Sequence, residues 1–517
     1  MQTAEMIKFA VKRPKERKAQ IMSSVGNLDW ANDSYLRAFG LKINPQMPTV
    51  QARLIKSPEV GFAGNKKASP GLSGRWNLQG YQFVKPNPVP LKSWGMVAIN
   101  NCVDPPTLNR FANEFVKIYK GHGGRVEKEA VVLGFSPGTP IGEQVSQIYN
   151  KVGNTNKMSP QMIFFVIREK ATGLYEEVKR HADCRFAIPT QVLSDFKMRK
   201  MQGQYISNVC LKVNAKLGGQ TSRIAGSPAL GPFKTPTCMI GVDVSHAAPG
   251  STQASVASMC LSMDKDLTIY NGAVQTNGYR LEMLTQENIQ EMLGPMVKRW
   301  VQTNKVSPTQ VFYFRDGVAE GQFAQVLDQE LSEIKRVFKT VAGAVPKVTV
   351  IIATKRHHIR FFPERGDRND NPNPGTLLER EVTHPFHYDF YLCSHSAIQG
   401  TARPVHYNVI HDEIAMKVDE LQTLIYHQCY TYCRSTTPVS LHPAVYYAHL
   451  AGNRARHHER KVAPTPAPPS TNQKDSHAKS SKKDSRPTGP APKLYSLGEL
   501  GGRDDCKMNL MNSMWYV

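Results

Sequence analysis

Four separated residues have the types and the order that metal-dependent cleavage chemistry needs. Asp243 lies in the middle of an apolar run, and Asp316 ends a second one. Glu287 and His449 lie on segments whose apolar residues have helical spacing. A buried carboxylate is usually paired or bound to a cation. Hard divalent cations take oxygen ligands, and two of them can stabilise both oxygens of a phosphodiester displacement. These residues therefore predict a metal-dependent nuclease.

Each of these residues also has a simpler interpretation. An isolated acidic residue is more often a helix cap or a surface charge, and His449 alone is more often a core histidine. Glu282 and Glu291 lie on or near the same segment as Glu287, so the choice of glutamate stays open. The order of the set still favours the nuclease. Its first acid lies on the first strand of a predicted three-strand meander, its second on a helix and its third at the end of a later strand, as in the ribonuclease H fold.

Two pairs of residues in an earlier α/β region predict an anion site. Lys212 and Lys216 are four residues apart on one predicted helix, off its apolar stripe. Tyr175 and Lys179 are also four apart, on the predicted helix that follows a buried strand at residues 162–167. An aromatic ring beside a lysine can stack a base while the ammonium holds its phosphate. The alternative is that these lysines solvate ordinary surface helices, and the pattern alone does not decide between the two.

A third predicted helix carries two candidate functional residues whose side chains must face different sites. His449 and Arg454 are five residues apart, which places them roughly 140° apart around a helix axis. His449 can therefore face a metal centre while Arg454 faces a different phosphate. Two further basic clusters, at residues 355–360 and at Arg403, follow predicted strand segments and could track a nucleic-acid backbone.

Composition points to a polyanionic partner. The 517 residues include 65 Lys and Arg against 42 Asp and Glu, a formal net charge of +23. Neutralising phosphates releases condensed counterions, so this excess favours nucleic acid. No apolar run approaches the roughly 20 residues of a membrane span, and residues 1–20 are polar and basic. No membrane partner is therefore expected. The nine cysteines contain no CxxC pair, which predicts a reduced, intracellular protein.

The pattern of elements predicts an α/β fold in two units. Strands at residues 95–100 and 162–167, each followed by a helix, indicate an open parallel sheet. A three-strand meander begins the second unit near residue 237. The Pro-, Ser- and Lys-rich residues 461–493 are expected to be a disordered insertion, because they cannot bury enough apolar surface. Other expected elements are a helix at 14–22, strands at 37–41 and 50–55, a linker at 61–74, and helices at 285–303 and 320–341.

Seven sequence segments together resemble the Argonaute family, with a fungal origin expected. They occur in the family's order and spacing between about residues 160 and 456, and residues 6–22 resemble the family's second linker. The segments are LYEEVKR, SNVCLKVNAKLGG, IGVDVSH, FYFRDGVAEGQF, RHHIRFF, DFYLCSHSAIQGTARP and YYAHLAGNRAR.

The resemblance implies a domain plan. It assigns residues 1–85 to the linker 2 region and residues 86–228 to a Rossmann-like MID domain with a parallel sheet. Residues 229–517 become a ribonuclease H-like PIWI domain that carries the insertion at 461–493. Because the similarity begins in the second linker, the family's N-terminal lobe and PAZ domain are expected to be missing from this chain.

The resemblance also implies a role for each matched position. The catalytic tetrad and ligands of Mg²⁺, with Mn²⁺ as the alternative ion, are Asp243, Glu287, Asp316 and His449. The segment after Glu287 is one residue longer than the family pattern before Met296. The pocket for the guide's 5′ phosphate and first base consists of Tyr175, Lys179, Gln191, Lys212, Lys216 and Arg454. Contacts to the guide backbone are implied for Arg356, His358, Arg403 and Arg434.

The implied function is guided cleavage of RNA. A small 5′-phosphorylated guide RNA would be anchored in the MID pocket, and a complementary target RNA would be cut in the PIWI domain. The alternative is a guide-binding silencing scaffold that does not cut and acts through recruited silencing-complex proteins. The expected location is the cytoplasm, with a nuclear pool as the alternative.

Overall fold

The structure is a computed structural model that describes residues 5–6, 10–226, 235–248, 251–460 and 490–517. Most of the expected insertion at 461–493 lies outside these residues. Two central sheets organise the chain, a four-stranded sheet and a nine-stranded one, and a small three-stranded sheet accompanies them. The predicted α/β class is confirmed.

The four-stranded sheet is parallel throughout, as the sequence predicts. Its central strands are apolar at every position because helices cover both faces, and Met162–Ile167 is buried along its whole length. Residues alternate between the faces. Trp94 and Phe164 pack in one apolar cluster, and Val97 and Phe165 in another. In spatial order the strands are Val131–Gly134, Trp94–Ala98, Met162–Ile167 and Thr190–Ser194. The helices around them are Pro105–Gly121, Ile141–Asn156, Thr172–Arg180, Asp195–Arg199 and Gly203–Lys216.

The nine-stranded sheet begins with the predicted antiparallel meander. Two later strands run parallel to the first meander strand and extend the sheet on its other side. Arg315 is paired with Val242, so Asp316 and Asp243 come side by side on neighbouring strands. In spatial order the strands are Arg53–Leu54, Thr376–Leu378, Tyr388–Cys393, Val405–Asp412, Lys347–Thr354, Gln310–Asp316, Thr237–Ser245, Val256–Ser262 and Tyr270–Thr276.

One helix, Pro443–Ala455, lies directly on the first meander strand. Pro443 occupies its first turn, and the Ala444 N–H donates to His442 Nδ1 at 3.3 Å. Gly241 permits the close approach. A Cβ atom there would lie 2.1 Å from the backbone carbonyl carbon of Ala444. The helix and the strand are therefore fixed to each other by backbone contact.

The remaining helices of four or more residues are Pro14–Asn27, Ser34–Ala38, Gln286–Asn304, Ser332–Ala342, Val418–Gln428 and Asp504–Met511. Two π-helical turns, His181–Phe186 and Val326–Leu331, accompany them.

Two expectations for the first part of the chain are wrong, and a third is confirmed only in part. Residues 37–41 form no strand, because the Asp33 side chain accepts from the N–H groups of Tyr35 and Leu36 and starts the helix Ser34–Ala38. The strand expected at 50–55 is only Arg53–Leu54. The region at 61–74 is not an open linker, since it contributes to the three-stranded sheet of Val60–Gly61, Lys67–Ala68 and Arg223–Ile224. No helix within the described ranges is both long and apolar enough to cross a membrane.

Candidate functional site

Three of the four predicted nuclease residues meet at one point. Asp243 and Asp316 come from adjacent strands, and His449 comes from the helix that crosses them. His449 Nε2 lies 2.7 Å from Asp316 Oδ2 and 3.5 Å from Asp243 Oδ1. One ligand atom from each residue lies within 4.8 Å of the others. We call these three residues the acidic cluster.

The electrostatics of the acidic cluster suit a divalent cation. Burial raises the pKa of Asp243, and the charge of Asp316 adds to that effect. Burial alone would lower the pKa of His449. The hydrogen bond to Asp316 and the charge of Asp243 outweigh burial, so the pKa of His449 is raised overall. Two ionised carboxylates this close repel each other, so a cation placed between them is favourable. Two carboxylates and an imidazole form a donor set that Mg²⁺ or Mn²⁺ could use.

The structure does not bring Glu287 into this cluster. Glu287 lies in the first turn of the helix Gln286–Asn304, and its side chain is 67% exposed. Its carboxylate pairs with Lys493 at 2.8 Å, and Glu291 pairs with the same ammonium at 2.6 Å. Thr285 caps this helix and directs Asn288 and Ile289 inward, so Glu287 points to solvent.

Glu282 lies much closer to the acidic cluster. Its carboxylate accepts from Arg315 Nη1 at 2.9 Å, and its other oxygen lies 2.8 Å from His246 Nε2. A Cβ atom added to Gly317, next to Asp316, would lie 3.1 Å from Glu282 Oε1. The charge of Glu282 also contributes to the raised pKa of Asp243. Two signals in the sequence accompany it: His246 ends the GVDVSH segment and Arg315 precedes Asp316.

A second site gathers the predicted phosphate-binding lysines. Lys179 and Lys216 are both buried, and each donates to the carbonyl oxygen of Thr190, at 3.2 and 2.9 Å. Lys179 also donates to Thr190 Oγ1 at 2.7 Å, and Lys216 to Gln191 Oε1 at 2.9 Å. Lys212 is half-buried on the same helix as Lys216. Helices and a strand of the parallel sheet therefore bring these residues together as the sequence predicts.

Arg454 joins this second site from the nine-stranded unit. Its guanidinium forms two bonds with the buried carboxylate of Asp183, at 2.6 and 3.3 Å. Arg454 Nη1 donates to Tyr175 Oη at 3.1 Å, and the Lys179 ammonium lies 5.5 Å from the centre of the Tyr175 ring. We call Tyr175, Lys179, Gln191, Lys212, Lys216 and Arg454 the cationic pocket. Asp183, which binds Arg454 beside this pocket, was not predicted from the sequence.

Positive charges crowd the cationic pocket. Burial, then the charge of Arg454, lowers the pKa of Lys179 well below its usual range. Burial, then the charge of Lys179, does the same for Lys216. Burial and the charge of Arg434 lower the pKa of Lys212 to about 8. Groups whose charged forms are disfavoured in this way gain from an anion placed among them.

The four predicted backbone-binding residues fall into two places. Arg356, His358 and Arg403 are exposed, and the charge of Arg356 acts on His449 at the acidic cluster. The charges of Arg403 and Asp316 both act on half-buried Lys355, so Arg356 and Arg403 lie on the side of the cluster where Lys355 is. Arg434 instead lies near the cationic pocket, where its charge acts on Lys212 and Lys216.

Three family models match this chain. The model of the Piwi domain matches residues 162–460, more than half of the chain. The Argonaute linker 2 domain matches residues 16–62, and the Mid domain of argonaute matches residues 72–151. The Piwi match begins within the four-stranded sheet, at its third strand in chain order.

Curated relatives and solved structures agree with these models. The protein argonaute of Schizosaccharomyces pombe is 37% identical over 466 residues, covering 89% of this chain and 55% of the relative. Protein argonaute 12 of Oryza sativa subsp. japonica is 30% identical, covering 88% of this chain and 46% of the relative. The chain thus spans about half the length of the curated relatives it matches.

Among solved structures, Kluyveromyces polysporus Argonaute with a guide RNA has a TM-score of 0.77 at 23% identity, covering 100% of this chain and 59% of that one. The C-terminal lobe of a budding yeast Argonaute has a TM-score of 0.72 at 24% identity, and the match covers 90% of this chain and 95% of that one. These likenesses concern the fold. From the extent of the Piwi match and the three models in order along the sequence, this chain belongs to the Argonaute family.

Proposed function

We propose that this chain binds the 5′ end of a small guide RNA and cleaves complementary target RNA. The observation that carries the proposal is the pairing of two complementary sites on one helix. His449 belongs to the acidic cluster, and Arg454 belongs to the cationic pocket. One site suits a divalent cation and the other suits a phosphate. A relative of the same fold, from Kluyveromyces polysporus, was solved with a guide RNA.

The cationic pocket is proposed as the anchor of the guide's 5′ phosphate. Lys179, Lys212 and Lys216 would donate to its oxygens, and the planar guanidinium of Arg454 suits bidentate contact with phosphate. Gln191 orients Lys216 through their 2.9 Å bond. Tyr175 would stack on the first base, with its hydroxyl held by Arg454.

The acidic cluster is proposed as the cleavage centre. Asp243, Asp316 and His449 would hold Mg²⁺ or Mn²⁺, and Glu282 is our candidate for the fourth member in place of Glu287. When bound, divalent cations activate water and stabilise the leaving 3′ oxygen of a phosphodiester. Asp243 and Asp316 lie on adjacent strands, and their carboxylates would ligate the cation from one side. His449 contributes Nε2, which lies toward both carboxylates.

The surrounding residues would bring the scissile strand to this centre. Arg356, His358 and Arg403 are exposed, and they would contact backbone phosphates of the bound strands. Arg434 lies next to the cationic pocket and would hold a phosphate close to the 5′ end. In this scheme residues 86–228 anchor the guide and residues 229–517 cut the target, in the cytoplasm with a nuclear pool as the alternative.

A single-turnover cleavage assay tests the proposal. It uses a 5′-phosphorylated guide RNA, a labelled complementary target and Mg²⁺. We expect one discrete cut that moves when the 5′ end of the guide is shifted along the target. Asp243→Ala should abolish the cut and leave guide affinity unchanged, because Asp243 belongs to the acidic cluster and not to the cationic pocket. Retained cleavage in Asp243→Ala would contradict the assigned centre.

A second candidate is a guide-binding scaffold that silences through recruited proteins without cutting. One observation favours it: among the described residues, the ligand atoms that lie within 4.8 Å of one another come from Asp243, Asp316 and His449, with no fourth carboxylate. If no fourth carboxylate joins them when guide and target bind, the centre has only three ligands. Tight, phosphate-dependent guide binding with intact target after prolonged incubation in Mg²⁺ would select the scaffold.

A further inference from the structure

A buried glutamate behind the acidic cluster has no assigned role. Glu330 has no exposed surface, and it lies in the π-helical turn Val326–Leu331. Its Oε2 accepts from Tyr313 Oη at 2.6 Å and from Arg315 Nε at 3.1 Å. Its Oε1 accepts from the Leu284 N–H at 2.9 Å. A carboxylate this deep persists only when such donors satisfy it.

These bonds connect Glu330 to the cleavage centre through one side chain. Arg315 is fully buried and lies between two glutamates, Glu330 and Glu282. Its Nη1 donates to Glu282 Oε1 at 2.9 Å and also to the carbonyl oxygen of Asp316. Its Nη2 donates to the carbonyl oxygen of Glu282 at 2.6 Å. Arg315 therefore fixes both the backbone and the carboxylate of Glu282.

Glu330 also holds the loop that carries Glu282. Leu284, whose N–H it binds, is two residues further along that loop. The loop is not a helix or strand, so it depends on bonds of this kind for its position. Without Glu330, Arg315 would keep a single carboxylate partner, and the loop would lose its bond at Leu284. Glu282 would then be free to move relative to Asp243 and Asp316.

We propose that Glu330 is a positioning residue for the nuclease centre, which fixes Arg315 and the 282–284 loop so that Glu282 stays aimed at the acidic cluster. The proposal rests on the proposed cleavage function. It predicts an effect on metal affinity, since partners that orient a ligand typically alter it by roughly 10–100-fold. It predicts no effect on the cationic pocket, which Glu330 does not touch.

The test compares Glu330→Gln with Glu333→Gln in the full chain loaded with guide RNA. Glu333 is the matched control, because it is a buried glutamate three residues away that pairs with Arg336 and Gln290. We expect Glu330→Gln to raise the half-saturating Mg²⁺ concentration for cleavage at least tenfold. Guide affinity should stay within about twofold. Glu333→Gln should leave the half-saturating concentration unchanged.

Binding of Mn²⁺, followed by electron paramagnetic resonance, separates this inference from the proposed function. If the wild type loads guide but never cleaves, the proposed cleavage fails, and weaker Mn²⁺ binding in Glu330→Gln still supports the positioning role. Equal Mn²⁺ affinity in wild type and Glu330→Gln, or an equal loss in both variants, overturns it. If Glu330→Gln does not fold, the Mn²⁺ affinity of Tyr313→Phe is measured instead, because this variant removes the 2.6 Å bond to Glu330 and keeps the Glu330 carboxylate. A weaker Mn²⁺ affinity supports the proposal, and an unchanged one overturns it.

Discussion

Guide binding should be coupled to proton uptake at the cationic pocket. The pKa of Lys212 in the empty pocket is lowered to about 8 by burial and by Arg434. At pH 8 this ammonium is therefore about half protonated. A phosphate among the lysines favours their charged forms and raises their pKa. Lys212 should then take up about half a proton per guide bound at that pH. Lys179 and Lys216, whose pKa values are lowered further, add to the uptake.

The same linkage fixes the sign of the pH dependence. A lysine with a lowered pKa loses its proton as the pH rises through that value, so the empty pocket becomes less cationic. Each unit above pH 8 should weaken the binding of a phosphorylated guide roughly tenfold through Lys212 alone. The phosphate itself has a second pKa near 6, so it is about nine-tenths doubly ionised at pH 7 and almost fully so at pH 8 and above. Affinity should therefore fall from pH 7 to pH 9.

Isothermal titration calorimetry in buffers of different ionisation enthalpy measures the uptake directly. The comparison is between guides with a 5′ phosphate and guides with a 5′ hydroxyl, from pH 7 to pH 9. Lys212→Met should remove about half a proton of the uptake at pH 8. Equal proton uptake for both guides would refute the reasoning, because the lysines would then be generic backbone contacts.

Three further outcomes are expected. Glu282→Ala should reduce the rate of single-turnover cleavage at least 10²-fold, whereas Glu287→Ala should cleave like wild type. The opposite result would assign the fourth position of the cleavage centre to Glu287. Gly241→Ala should lower the free energy of unfolding by about 3 kcal/mol, measured by urea denaturation, because its Cβ would meet the backbone of Ala444. Arg403→Ala should reduce the slope of log affinity against log salt by about one for guide RNA, and an unchanged slope would exclude a phosphate contact.

Part of the candidate site follows from periodicity alone. The strands of Asp243 and Asp316 could be predicted because buried strands are continuous apolar runs, and their register then brings the two carboxylates together. The separation of His449 from Arg454 follows from helical geometry, and the structure places them at different sites. The parallel sheet and the meander are also predicted from these patterns.

The remaining features could not be predicted from periodicity. Glu282 lies in a loop, where no periodicity indicates the direction of a side chain, and its carboxylate is held by His246 and Arg315. Glu287 has the helical context that pattern reasoning prefers, but that context turns it to solvent. The helix Ser34–Ala38 begins at a side-chain cap and is only five residues long, too short for a periodic pattern.

The helix Pro443–Ala455 acts as a molecular ruler. A rise of 1.5 Å per residue puts its two functional side chains about 7.5 Å apart along the axis. Because the helix is also seated on the strand of Asp243 through Gly241, the position of Asp243 relative to both side chains is fixed by backbone contact. The cut would therefore be counted from the anchored end of the guide, and lengthening the guide at its other end would leave the cut where it was.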